Sequence, residues 1–189
     1  MKKPVYIYDS TYEDTTSRFR GIGRYIELLR SCFSRKFSFH NNLEDIPKES
    51  VFINPFFTFF DQPLIDKKRF VKQIAVIHDI IPLKYKKHFP AGLKGTINTI
   101  KNKKALTLYD LVITDSQKSK DDICKMLKVN EQNIRVVYPA VLNKFSKIES
   151  NKPDFISEKI KKFLLYVGDA TWNKNLINVA KALKESQVP

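Results

Sequence analysis

Gln73-Ile74-Ala75-Val76-Ile77-His78-Asp79-Ile80-Ile81-Pro82, QIAVIHDIIP, is the stretch whose reading decides the fold. An apolar run climbs directly into a His-Asp pair, then drops into two isoleucines and a proline. A short apolar run bounded in this way reads as a buried strand. The strand needs only burial to account for it; the two ionisable residues at its end need more. One reading is a strand cap facing water. The other is the edge of an active site.

Working outward, strands and helices alternate. VYIYD (Val5 to Asp9) is strand-like, and a polar loop follows from Ser10 to Arg20. GIGRYIELLRSCF places Ile22, Tyr25, Ile26, Leu29 and Phe33 at helical spacing. KFSFH and SVFINP are short strand candidates, rich in β-branched and aromatic residues. Leu93 to Tyr109 reads as a helix with lysines on one face. LVITDS is a second buried strand, and Ser116 stands at the N-cap of a helix over QKSKDDICKMLK. IRVVYPAV is a strand stopped by Pro139. Strands separated by helices imply an α/β fold, a parallel sheet with helices on both faces. Ligands of such sheets bind outside the carboxyl ends of the strands. Here those ends are Asp9, Asn54-Pro55, His78-Asp79, Thr114-Asp115-Ser116 and Tyr138-Pro139.

Residues 142–162 break the alternation: they are polar, lysine-rich and carry Pro153, and read as a linker. A buried strand from Phe163 to Val167, a turn at Gly168 and a helix then restart the pattern. The expected organisation is an N-terminal domain over 1–141, the linker, and over 163–189 the opening strand-turn-helix of a second domain. The chain ends about 20 residues into it, far short of a whole domain, so that domain is expected to be truncated.

The 189 residues carry a formal net charge of +14 and 42% hydrophobic side chains. The charge favours anionic partners: nucleic acid, acidic lipid or phosphorylated substrates. No apolar run is long enough to span a bilayer, and the apolar run after the two N-terminal lysines is too short for a signal peptide. Cys32 and Cys124, with His40, His78 and His88, have no metal-ligand spacing. No metal and no cofactor are expected, and both thiols read as buried in a protein of the reducing cytoplasm.

Four motifs could carry chemistry. In RGIGRY, Gly21 and Gly23 precede a helix whose N–H groups could cradle phosphate; the alternative is a flexible helix start. The spacing does not fit a dinucleotide fingerprint. HDIIP offers His78 and Asp79. In YVGDATWNKN, Gly168 permits close approach of a ligand, and Lys174 could meet a diphosphate; an ordinary turn and a solvated lysine are the alternative. PLKYKKHFPAGLKGTINTIKNKK interleaves lysines with Tyr85, Phe89, Leu93, Ile97 and Ile100. It reads equally as a solvated helix face or as a surface that docks onto anionic lipid.

RGIGRYIELL, AVIHDIIPLKYKKHFP, YDLVITDSQKSKDDI, IRVVYPAV and FLLYVGDATWNKNL, in this order, resemble the retaining glycosyltransferases of family four, which have the GT-B architecture of two Rossmann-like domains. The resemblance runs from about Ile7 to Leu183. It implies an acceptor-side N-terminal domain, a nucleotide-sugar donor held by the C-terminal domain, and transfer in the cleft between them. By this likeness His78 is the histidine near the transferred sugar and not a nucleophile, and Asp79 orients the acceptor or holds its loop. Gly21 and Gly23 approach the donor diphosphate, and Lys174 neutralises it. Gly168, Asn173 and Ser116 are cleft contacts. The implied acceptor is a glycan or lipid-linked glycan of polysaccharide synthesis, met at the inner face of a membrane where the basic domain touches anionic lipid.

Two departures stand out. The family places an arginine before the lysine, where this chain has Asn173. The family also carries two glutamates eight positions apart in its C-terminal domain, and no glutamate here has another eight positions on. The chain alone is therefore not expected to transfer sugar. The alternative is a basic α/β module that binds nucleic acid or an anionic surface without catalysis. Against nucleic acid, the aromatics form no stacking platform and no basic recognition helix precedes a turn.

Overall fold

The computed structural model describes residues 3–12, 21–140 and 164–186. The chain divides into two compact units, Met1–Lys144 and Phe145–Pro189.

In the first unit the apolar runs all pair into one sheet. Its strands are β1 (Val5–Tyr8), β2 (Phe37–His40), β3 (Val51–Asn54), β4 (Lys72–Val76), β5 (Leu111–Thr114) and β6 (Ile134–Val136). Their order is β2-β1-β3-β4-β5-β6, and every neighbouring pair is parallel. The helices are α1 (Gly21–Phe33), α2 (Ile81–Lys84), α3 (Gly92–Leu106) and α4 (Gln117–Leu127). The result is a parallel α/β sheet flanked by helices, of the Rossmann-like kind. β2 and β3 lie on opposite sides of β1, so the order of strand addition reverses between β1 and β3. A crevice opens at such a reversal, at the carboxyl ends of the strands.

Burial explains the strand sequences. QIAV of β4 is buried throughout, as a central parallel strand must be. Phe52 stacks on Phe70 with ring centroids 4.6 Å apart, and both are buried. Gln73, fully buried within this apolar run, stitches the sheet to its loops. Its Oε1 accepts from the Arg69 and Phe70 amides at 2.9 and 3.0 Å, and its Nε2 donates to the Leu108 carbonyl at 2.8 Å. Backbone groups in loops need such partners when they are removed from water.

Several elements differ in extent from the sequence reading. α3 stops at Leu106, because Thr107 to Tyr109 turn back through amide bonds to Lys104, Ala105 and Leu106. β6 ends at Val136, with Val137 and Tyr138 exposed. Gly21 and Gly23 lie inside the first turn of α1 rather than before it. Cys32 is exposed on the last turn of α1, where a buried thiol was expected; Cys124 is half-buried.

Of the second unit, residues 164–186 are described. They hold a single 3-10 turn, Trp172–Lys174, and α5 (Leu176–Ser186). The buried strand expected over 163–167 does not form at Leu164 to Val167, which are exposed and irregular; Phe163 lies outside the described residues. A strand needs a neighbour for its backbone groups, and no second strand occurs among the described residues of this unit. The expected linker, 142–162, also lies outside the described residues.

Candidate functional site

His78 follows β4 directly, and Asp115 follows β5. The register pairs Val76 with Ile113, so two residues on, His78 and Asp115 stand side by side beyond the sheet. The backbones stay together there: the Ile77 amide donates to the Ile113 carbonyl at 2.8 Å. His78 Nδ1 lies 2.6 Å from Asp115 Oδ2, and Nε2 lies 3.1 Å from the Pro55 carbonyl after β3. Three adjacent strand ends thus fix one imidazole. Tyr25 of α1 packs edge-on against the ring at 4.8 Å, and Phe56 covers it at 5.7 Å.

A carbonyl oxygen only accepts, so Nε2 carries a hydrogen in this arrangement. The ring is held as a hydrogen-bond donor, and its Nε2 lone pair is not offered as a base or nucleophile. Asp115 Oδ1 is buried and has no hydrogen-bond partner among the described residues. An unpaired buried acceptor is costly, and a ligand hydroxyl is the kind of group that would satisfy it. Burial first, and the Asp115 charge second, push the Tyr25 hydroxyl up to about 12. Tyr25 therefore faces the pair as a neutral phenol near neutral pH.

Two cavities meet here, sharing the walls Phe56, Phe57 and Thr58. The smaller, about 170 Å³, is lined mainly by apolar side chains, with His78 and Asp79 at its rim. The larger, about 300 Å³, lies where the strand order reverses, between Tyr8 at the end of β1, with Ser10 beyond it, and Asn54 at the end of β3. Asp61, Gln62 and Asn102 supply its other polar groups, and among the described residues no lysine or arginine lines it. Asn54 and Asn102 are both buried. Asn54 Nδ2 donates to the Tyr109 hydroxyl at 3.3 Å, while its Oδ1 accepts from the Phe56 amide at 3.2 Å.

A half-buried ion pair ties α1 to this edge. Asp9, 2% exposed, directly follows β1, and its Oδ2 accepts from Arg30 at 2.6 Å. Its Oδ1 accepts from the Thr11 amide at 2.9 Å and the Thr11 hydroxyl at 2.6 Å. Burial pushes the Asp9 carboxyl up, but the Thr11 and Arg30 hydrogen bonds outweigh it and hold the carboxyl below its ordinary range.

The sequence-derived candidates separate. His78 and Asp79 lie at the sheet edge, but they do different things. Asp79 is exposed, and its Oδ1 accepts from the Ile81 amide at 2.9 Å, which satisfies an unpaired N–H at the start of α2. Ser116 caps α4 as expected: its hydroxyl accepts from the Ser119 amide at 3.1 Å. Gly23 is buried and Gly21 exposed on α1. Gly168, Asn173 and Lys174 belong to the second unit. Gly168 has φ +150°, and an added Cβ would meet the Tyr166 hydroxyl at 2.8 Å, so glycine is required there. Asn173 Oδ1 accepts from the Thr171 hydroxyl at 2.7 Å, and Lys174 is exposed one residue before Asn175, which has φ +54°.

Asp115, Tyr25 and the Pro55 carbonyl escaped the reading of motifs. A signal for Asp115 was present: aligning AVIHD with VITDS by strand register sets Asp115 opposite His78. Among the described residues no group of three or more His, Cys, Asp or Glu converges to hold a metal, and no helix is long and apolar enough to cross a membrane.

No protein-family model, curated protein or solved structure matches the chain.

Proposed function

We propose that this chain takes part in sugar transfer. In this reading it is the acceptor side of a retaining GT-B glycosyltransferase that moves sugar from a nucleotide-sugar donor to a glycan or lipid-linked acceptor in polysaccharide synthesis. The observation that carries the reading is the unpaired Asp115 Oδ1 beside a donor-locked His78. Asp115 Oδ1 accepts from a ligand hydroxyl, while the His78 ring, with both nitrogens engaged by Asp115 and the Pro55 carbonyl, holds that carboxylate in place. The adjoining cavity, with its amides and a carboxylate, suits the same ligand class.

His78 acts here as a positioning residue: its ring, fixed by the Pro55 carbonyl, aims Asp115 at the ligand. Asp79 shapes the α2 start rather than touching the reacting atoms. Gly21 and Gly23, at the start of α1, are proposed to offer N–H groups to the donor diphosphate, which stabilise the departing charge. The protein works in the cytoplasm at the inner face of the membrane.

The test is binding by the chain as it stands, followed by NMR with a panel of neutral glycans and nucleotide sugars. Glycans should shift the His78 ring and the Asn102 side-chain amide, and Asp115→Ala should weaken them about tenfold, as expected for one charge-assisted hydrogen bond. Glycan binding that leaves both reporters unmoved would remove the site; silence across the whole panel would remove the function. The non-catalytic basic module is the competing outcome, and it would appear as tight heparin or DNA retention with a steep salt dependence and no response to sugars.

A further inference from the structure

α3 is built inside out. Its buried face carries Gly95, Asn98 and Asn102 along with Ala105 and Leu106. Its exposed face carries Leu93, Ile97 and Ile100, which are 82%, 46% and 67% exposed. These three lie four and three residues apart, so they form one stripe. The inward polarity has a reason. Asn98 Nδ2 donates to the Phe60 carbonyl at 2.9 Å, and Asn102 Nδ2 donates to the Asp61 carbonyl at 2.7 Å. The helix thus satisfies the irregular loop that walls both cavities. Nothing among the described residues accounts for the outward aliphatic stripe.

We propose that this face of α3 docks the protein onto an anionic lipid bilayer. Lys94, Lys101 and Lys104 are exposed on the same helix, which contains no acidic residue, and the chain carries +14 overall. The stripe enters the boundary between headgroups and acyl chains while the lysines reach the anionic headgroups. A second copy of the chain is disfavoured, because it would bring lysine against lysine. A protein partner fits poorly: protein interfaces are enriched in Trp, Tyr and Arg and depleted in Lys, whereas this face is Leu, Ile and Lys. A nucleic acid would engage the lysines but offers no apolar medium for leucine and isoleucine. The inference deepens the membrane placement of the proposed function, and the two fail separately, since vesicle binding and glycan binding are read separately.

The experiment is co-sedimentation of the 189-residue chain with vesicles of phosphatidylcholine alone or mixed with phosphatidylglycerol. The chain should pellet with mixed vesicles, and high salt should weaken that binding. Changing Leu93, Ile97 and Ile100 together to Ser should lower affinity at least about tenfold, from lost apolar burial. Lys94→Gln, Lys101→Gln and Lys104→Gln should lower it by roughly fivefold each. The lysine set alters no buried contact, so it decides the matter even if the serine set unfolds, as circular dichroism would report. Equal binding to neutral vesicles, or wild-type binding by the lysine set, overturns the proposal. So does a dimer in sedimentation velocity that the serine set dissociates, which would assign the face to a second copy.

Discussion

Asp9 offers the most direct test of how the candidate site is held. It anchors the end of β1 to α1 through Arg30, and α1 carries Tyr25 against the His78 ring. Asp9→Ala removes three hydrogen bonds from one carboxylate. Each bond to a charged group contributes about 1.5–3 kcal/mol. Two offsets reduce the sum: Asp9 no longer has to be desolvated, and Arg30, 44% exposed, recovers water when left alone. The expected loss is about 2–3 kcal/mol for Asp9→Ala, and about half that for Asp9→Asn, which keeps an acceptor for Thr11. With a urea slope of about 2 kcal/mol per M, Asp9→Ala lowers the midpoint by about 1–1.5 M. Far-UV circular dichroism is the probe, because the chain's one tryptophan, Trp172, belongs to the second unit. The folded carboxyl is held below its ordinary 3.8. Its stabilisation is therefore complete above that pH and is lost as pH falls through the folded value. The gap between wild type and Asp9→Asn should be constant near neutrality and close below about pH 4. A midpoint within about 0.3 M of wild type for Asp9→Ala, or a gap that widens in acid, would refute the clamp.

Other consequences follow from single contacts. Gln73→Leu loses three bonds to loop backbone and leaves two amides unpaired, while the Leu108 carbonyl keeps only Lys68; thermal unfolding should report a loss of about 3 kcal/mol, and a neutral effect would mean that water replaces the side chain. Ser116→Ala should cost about 1 kcal/mol by removing the α4 cap, with urea unfolding as the check. Burial holds the Tyr25 and Tyr109 hydroxyls at about 12 against an ordinary 10, with the Asp115 charge adding at Tyr25 and the Asn54 hydrogen bond opposing at Tyr109. Their neutral forms stabilise the fold fully below pH 10, and that stabilisation falls between pH 10 and 12 as the unfolded phenols ionise first. A Tyr25→Phe, Tyr109→Phe double variant should show a flatter alkaline stability profile. An unchanged slope would place both phenols in water.

The sheet was legible because its strands announce themselves locally. VYIY, VFIN, KQIAV and LVIT are apolar runs that need burial on both faces. The helices α1 and α4 were legible from amphipathic spacing and, for α4, from Ser116. Leu164 to Val167 misled for the same reason: an apolar run predicts burial, but pairing is a property of neighbours, and no strand among the described residues of that unit supplies one. Strand order was hidden too, since β2 and β3 look alike in sequence and lie on opposite sides of β1. The site was half legible. His78 stood out because a charged pair ended a buried run. Asp115 did not, because LVITDS reads as a strand followed by an N-cap, and only the register brings its aspartate to the imidazole.

The loop from Pro55 to Asp61 connects these observations. It joins β3 to the segment before β4 without a helix or strand, so its carbonyls find no ladder. Neighbours satisfy them instead: the Pro55 carbonyl faces His78, the Phe59 carbonyl receives Thr99 at 3.3 Å, and Asn98 and Asn102 hold Phe60 and Asp61. A glycine or proline scan of this loop would not separate fold from function, because the bonds that set its path also fix the imidazole and the cavity walls. The helix that restrains the loop is the helix whose outer stripe is aliphatic and basic. If that stripe enters a bilayer, the cavities beside His78 are held by the docked element itself. Removing the Asn98 and Asn102 amides should then loosen glycan contacts at His78 without altering vesicle binding. The Leu93, Ile97 and Ile100 serine set should do the reverse. That double dissociation holds only if the two faces of α3 serve separate ligands.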